Sequence, residues 1–115
     1  MEHNNDQFLL QMIVNYCDNI SQMVTEFSLN EELICSHLGY RAMIAFFVQQ
    51  IGECASKLSP EFRNQHPEIE WGMIIGFRHH IVHAYGKIIP EILWDTVQND
   101  IPELRDFCDS VLNKL

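Results

Sequence analysis

The sequence predicts an all-α fold, an up-down bundle of four to five main helices formed by one domain over residues 1–115. Of those residues 47% are hydrophobic, which is too apolar for a disordered chain. Five glycines and four prolines are too few for a turn-rich β-sandwich or barrel. The apolar residues recur at steps of three and four, and no stretch alternates as a strand would. These observations favour a compact helical bundle with a single core.

The N-terminal half predicts three helices. The first covers Gln7–Phe27, where apolar residues form one face over about five turns and polar residues take the other. Asn30, followed by two glutamates, suits the N-cap of a short helix that ends at Ser36. The stretch His37–Leu58 contains no proline and is predicted to form the long central helix, despite its two glycines.

The C-terminal half predicts two further helical stretches. Ser59 suits the cap of a single helical turn in the loop that follows the central helix. A helix is then predicted over Ile69–Tyr85, closed by the glycine that comes next. The last stretch covers residues 90–113. Because proline is tolerated in a first turn but not in an interior, Pro102 predicts two helices that meet near residues 99–101.

The net negative charge of the chain limits the classes of partner that it can bind. Seven Lys and Arg residues against sixteen Asp and Glu give a net charge of −9, which repels polyanions over the surface as a whole. General DNA binding and attachment to an anionic membrane are therefore not expected. The longest uncharged apolar run, Ala42–Ile51, is too short to cross a bilayer, and the acidic first residues differ from a secretion signal. We expect a cytoplasmic protein whose cysteines are reduced and packed in the core: Cys17, Cys35, Cys54 and Cys108.

The chemically informative segment covers residues 71–90. Its twenty residues contain no acid and hold two cations and three histidines: Arg78, Lys87, His79, His80 and His83. Wound as one helix, the segment places Arg78 and Tyr85 inside an apolar arc roughly 200° wide. Two interpretations are open. Either Arg78 pairs with an acid of another helix, or part of the arc faces a second subunit and Arg78 lines a cleft for an anionic ligand.

Two histidines lie on the neighbouring arc of the same helical wheel. His79 and His83 adjoin Gly72 and Gly76, so either a ligand approaches this face closely or the glycines only loosen helix packing. The spacing of the two histidines would also suit a metal, but the segment offers no acidic third ligand, and no metal is expected. Without a metal, an imidazole can move a proton from a ribose 2′-hydroxyl or to a leaving 5′-oxygen while an arginine holds the phosphate.

The segment Arg78–Tyr85 fits the R-x4-H-x-Y pattern of HepT-like toxins in the HEPN superfamily of ribonucleases. Residues 51–55, Ile-Gly-Glu-Cys-Ala, resemble the IGEA stretch that closes the long helix of that family. Residues 71–77 resemble its W-x-x-I-I-G-hydrophobe segment. Trp94, followed by residues 99–104, resembles the signature of its final helix. The likeness extends over nearly the whole chain in the expected order.

This resemblance implies an all-α, HEPN-like bundle that forms a homodimer, with the R-x4-H motifs of both subunits in one cleft. It implies an endoribonuclease that needs neither metal nor cofactor, with RNA as substrate and an MNT-type nucleotidyltransferase antitoxin as partner. Arg78 and His83 match the catalytic pair, and Tyr85 matches the tyrosine that the antitoxin can modify with AMP. His79 stands where asparagine is common and is expected to support the pair. The alternative is a catalytically silent helical dimer whose task is to bind the nucleotidyltransferase.

Overall fold

The computed structural model describes the backbone of residues 2–82 and 87–115, and the side chains of these residues from residue 5 onward. Within these ranges the chain is helical apart from its loops and one isolated antiparallel bridge, so the predicted all-α class is confirmed. The helices are α1 (Glu2–Glu26), α2 (Glu31–Ser36), α3 (Leu38–Lys57), α4 (Pro60–Gln65), α5 (Trp71–Ile75), α6 (Phe77–Ile81), α7 (Pro90–Asp95) and α8 (Ile101–Asn113).

Helices α1, α3 and α8 form the centre of the bundle. Helix α1 packs against both α3 and α8, while α3 also contacts α5 and α6, and α7 contacts α2 and α6. The largest side chains of the core, each at most 1% exposed, are Leu10, Ile13, Ile20, Ile34, Ile44, Val48, Ile51, Leu58, Phe77, Ile81, Leu93 and Leu104. Because two of these side chains come from α6, the helix that carries Arg78 is anchored in the core at both ends.

Side-chain caps fix the starts of the short helices α2 and α4. The Asn30 side chain accepts a hydrogen bond from the backbone N–H of Leu33 at 2.9 Å. The Ser59 hydroxyl accepts one from the N–H of Phe62 at 3.1 Å. Both caps were predicted from the sequence, and both are confirmed. In addition, Ser59 donates from its N–H and its hydroxyl to the buried carboxylate of Asp6, at 2.8 and 2.6 Å, which ties α4 to α1.

The prediction of one continuous helix over Ile69–Tyr85 is wrong. The chain breaks at Gly76, with φ −88° and ψ 15°, and α6 ends at Ile81. Glycine favours such a break because it loses more backbone freedom in a helix than other residues do. Val82 is extended and forms the isolated bridge with Ile88. Apolar periodicity did not reveal this end, because a β-branched valine fits an extended segment as well as an apolar helical face.

The last helical stretch covers residues 90–113 as predicted, but its halves are not separate helices. A π-helical turn over Thr96–Asp100 joins α7 to α8, and the residues at both ends of the turn keep right-handed helical dihedrals. The junction lies where Pro102 predicts it, because a proline ring clashes with the carbonyl four residues earlier in an α-helix. In the wider turn the N–H of Ile101 donates to the carbonyl of Thr96, five residues earlier in the chain. The backbone there has left the α-helical pattern, in which each N–H bonds the carbonyl four residues earlier.

The four cysteines carry free thiols, as predicted, but they are not all core residues. Cys17 and Cys108 are buried, and burial raises the pKa of both thiols, that of Cys108 to about 12. Cys54 is half-buried. The core prediction is wrong for Cys35, which is exposed because α2 is a short helix that buries only Ile34. None of the described helices has the length and the apolar character needed to cross a membrane.

Candidate active site on helix α6

Arg78 lies on the exposed side of α6, between the buried side chains of Phe77 and Ile81. None of the described carboxylates is within ion-pair distance of its guanidinium. The interpretation that Arg78 pairs with an acid of another helix therefore finds no partner among the described residues. A guanidinium in this position is open to an anion from solution, and its fork of N–H groups suits the two oxygens of a phosphate.

Backbone contacts hold both ends of the segment 83–87 against the end of α6. The N–H of Val82 donates to the carbonyl of Arg78 at 3.1 Å, and Val82 forms the antiparallel bridge with Ile88. One residue further, the N–H of Ile89 donates to the carbonyl of Ile81 at 2.7 Å. Both bridge partners therefore lie next to the helix that carries Arg78.

His83 and Tyr85, the predicted proton-transfer group and the predicted modification site, lie outside the described residues. His83 directly follows Val82 in the sequence, and Val82 is the last described residue before it. The wheel that placed Tyr85 on the same helical face as Arg78 required a helix through residue 85, and α6 ends at Ile81. The helix that both placements assumed therefore does not continue past Ile81, and the positions of His83 and Tyr85 themselves lie outside the described residues.

The glycines beside His79 play different parts. Gly72 is exposed, and a Cβ added there would meet no atom within 4 Å, so this face of α5 is open. Gly76 forms the break between α5 and α6, where a Cβ would lie 3.2 Å from the carbonyl oxygen of Gly72. His79 is exposed. The interpretation of loose helix packing therefore does not hold at Gly72, where a Cβ would face open space.

The close helix contact occurs instead at Gly52 of α3, which the sequence analysis did not single out for packing. A Cβ there would lie 2.8 Å from the carbonyl oxygen of Ile74 and 3.6 Å from the Cβ of Phe77. Because only glycine permits this approach, α3 fixes the position of both α5 and α6. The signal was the glycine inside an otherwise helical pattern, which commonly has a packing reason.

An acidic wall flanks α5 and α6 on the side of His80. Burial raises the pKa of the Asp100 carboxyl, neighbouring Asp95 raises that pKa further, and nearby His80 lowers it. A cavity of about 200 Å³ on the same flank is lined by Glu68, Glu70, Asp100 and Glu103. Acids flank the acid-free segment on both sides in the sequence, but their grouping into this wall is not evident from the sequence.

The described part of the site can bind an anion and offers imidazoles close to it. Arg78 and His79 are adjacent and exposed, and an imidazole can accept or donate a proton. Among the described residues no three His, Cys, Asp or Glu side chains are grouped closely enough to hold a metal ion.

Comparison with known proteins identifies the family of the chain. The family described as "Ribonuclease HepT-like" matches residues 13–111. The chain belongs to this family. The HepT-like match includes α3, α5 and α6, and with them Arg78 and the sequence up to Tyr85.

Individual relatives agree with the HepT-like assignment. The chain is 30% identical over 105 residues to "Putative RNase TTE0752" of Caldanaerobacter subterraneus subsp. tengcongensis, and the alignment covers 91% of this chain and 92% of the relative. It is 30% identical over 97 residues to "Probable ribonuclease HepT" of Thermococcus cleftensis, with coverage of 79% and 87%. No solved structure matches the chain significantly. The HepT-like assignment confirms the predicted enzyme class, an endoribonuclease, and with it RNA as the class of substrate.

Proposed function

We propose that the chain is the toxin of a toxin–antitoxin pair, a metal-independent endoribonuclease that works as a homodimer and is neutralised by an MNT-type nucleotidyltransferase antitoxin. The observation that carries the proposal is an exposed arginine, without an ion pair among the described residues, at the base of the segment that contains His83. In a chain of net charge −9, this arrangement concentrates positive charge where a HepT-like ribonuclease needs it. Because RNA is the substrate, we place the activity in the cytoplasm.

In the proposed mechanism Arg78 holds the scissile phosphate and His83 moves protons. The imidazole accepts the proton of the ribose 2′-hydroxyl, the 2′-oxygen attacks the phosphorus, and the bond to the 5′-oxygen breaks. The second His83 of the dimer donates a proton to the leaving 5′-oxygen. The products are a 2′,3′-cyclic phosphate and a 5′-hydroxyl end. Arg78 offsets the negative charge that builds on the phosphorane oxygens, and His79 supports the bound phosphate.

An exposed apolar stripe on α3 supports the proposed dimer. Leu38, Met43 and Phe46 are 66%, 47% and 54% exposed, and with Ala42 they recur at helical spacing along one face. The adjoining face of α3 packs against α5 and α6, as the close contact at Gly52 shows. A second copy seated on this stripe would cover the apolar side chains, each worth about 1.5–3 kcal/mol when fully buried.

The proposed antitoxin acts on Tyr85. AMP on its hydroxyl adds a phosphate two residues from His83, in a segment whose ends are tied to the helix of Arg78. The new negative charge competes with RNA for the guanidinium. Inhibition then requires no change in the bundle, because the modified residue lies between the two bridge partners.

Cleavage of an RNA mixture by purified variants tests the proposal. Arg78→Ala and His83→Ala are each expected to lower the cleavage rate by roughly a hundredfold or more, because one loses the phosphate contact and the other the proton transfer. The matched control is His80→Ala, which removes an exposed imidazole of the same helix on its acidic flank and should keep near wild-type activity. EDTA is expected to have no effect.

Two outcomes would contradict this proposal. If chelation abolishes cleavage and zinc restores it, the reaction depends on a metal. If the wild-type protein cleaves no RNA yet binds the nucleotidyltransferase, the chain is a catalytically silent binding partner.

A further inference from the structure

Lys87 is an exposed cation to which the catalytic scheme gives no role. Two other cations of the chain have structural partners: Arg41 donates to the carbonyls of Ile34 and Cys35, and Arg105 pairs with Asp18 at 3.0 Å. Lys87 forms no ion pair with any carboxylate that the structure describes. Arg78 likewise has no ion pair with a described carboxylate, and both cations belong to the acid-free segment 71–90.

Hydrogen bonds and covalent bonds limit the distance between these two cations. Arg78 and Val82 are one helical turn apart, Val82 is bridged to Ile88, and Lys87 precedes Ile88. Standard backbone spacings then keep the Cα atoms of Arg78 and Lys87 within roughly 15 Å of each other. Both side chains are long, so their charged ends can meet phosphates of one short RNA stretch.

The packing of Ile88 holds Lys87 in this place. The Ile88 side chain is half-buried against the core, and the N–H of Ile89 is bonded to the carbonyl of Ile81. Successive side chains of an extended segment point to opposite sides, so the inward Ile88 leaves Lys87 directed outward, in agreement with its exposure. The backbone of Lys87 is therefore anchored while its ammonium group stays in solvent.

The acidic wall disfavours one of the paths that an RNA strand could take over the protein surface. Glu70, Asp100 and Glu103 lie on the His80 flank of α5 and α6 and repel phosphates from that side. Arg78 and Lys87 are exposed, and their positive charges attract phosphates. A strand whose scissile phosphate sits on Arg78 has a favourable path toward Lys87 and an unfavourable one past His80.

We infer that Lys87 binds a second RNA phosphate, near the one held by Arg78, and so makes the site prefer oligonucleotides to substrates with a single phosphodiester. The inference rests on the proposed function, because it assigns Arg78 to the scissile phosphate. A lysine ammonium is a compact charge that contacts phosphate without reading bases. The contact therefore adds affinity that is independent of sequence and sensitive to salt.

The test compares Lys87→Ala, Lys87→Arg and the control Lys57→Ala, which removes the same charge from an exposed site on α3. With an RNA oligonucleotide, Lys87→Ala is expected to raise KM roughly fivefold to tenfold and to leave kcat within about twofold. The slope of log(kcat/KM) against log[salt] should become less negative by about 1, the change expected for the loss of one phosphate contact. Lys87→Arg should restore KM. With a dinucleotide that has one phosphodiester, Lys87→Ala should match the wild type.

The outcomes separate this inference from the proposed function. If Lys87→Ala keeps the KM and salt slope of Lys57→Ala on the oligonucleotide, the second phosphate contact is absent while RNA cleavage stands. A fall in kcat with unchanged KM, or an equal loss on the dinucleotide, also overturns it, since the lysine would then act at the reacting phosphate. If the wild type cleaves no RNA, the proposed function fails, and the inference fails with it.

Discussion

Tyr85 is the residue whose replacement best separates catalysis from regulation. In the proposed scheme its hydroxyl serves only as the acceptor of AMP, so Tyr85→Phe is expected to cleave RNA at the wild-type rate. The same variant should resist silencing by the MNT-type enzyme with ATP, because it has no oxygen to modify. The measurement is RNA cleavage after incubation with the antitoxin, together with intact mass of the wild-type protein. If the antitoxin inhibits both proteins equally, and the mass of the wild type does not increase by that of one AMP group, the proposed role of Tyr85 is refuted.

At the scale of single residues, the sequence predicts local features better than long-range ones. Asn30 and Ser59 were recognised as caps because each bonds an N–H three residues away, a contact that needs no tertiary structure. The sequence singled out Arg78 as a cation in an acid-free segment. The apolar arc around it was drawn on a helix that continues to Tyr85, whereas α6 ends at Ile81. The wall around Asp100 combines residues from separate helices, so only the packed fold brings it together.

At the scale of elements, the contact between α3 and α5 depends on Gly52. Gly52→Ala would place a Cβ 2.8 Å from the carbonyl oxygen of Ile74, and buried backbone cannot move aside without cost. We expect this variant to lose roughly 1–3 kcal/mol of unfolding free energy. The control is Gly72→Ala, where the Cβ meets open space and alanine gains up to about 1 kcal/mol of helix propensity.

Urea denaturation at one protein concentration measures both glycine variants, since dimer stability depends on concentration. Equal stability of Gly52→Ala and the wild type would show that α5 is not held against α3 in this way. Periodicity alone did not reveal this contact or the end of α6. The apolar pattern continues through Val82, and the bridge to Ile88 decides the conformation there.

At the scale of the whole molecule, the proposed dimer can be tested through Phe46. Phe46→Glu puts a charge into the exposed stripe of α3, where burial without a partner is costly, so we expect a monomer that has lost most RNA cleavage. Phe8→Glu is the matched control, because Phe8 is 64% exposed on α1 and should tolerate the charge as a dimer. Light scattering at micromolar concentration gives the mass of each variant. A wild-type monomer, or a dimer of Phe46→Glu, would exclude this interface.

The bridge between Val82 and Ile88 also bears on how such a site can diversify. Both ends of the segment 83–87 are fixed to the bundle, so substitutions between the bridge partners leave the buried side chains of Phe77 and Ile81 in place. The entropy cost of bringing two fixed points of a chain together changes slowly with the number of residues between them, so insertions between the bridge partners cost little free energy. Selection can therefore alter the chemistry of this segment, its target RNA or its response to an antitoxin while the bundle keeps its stability.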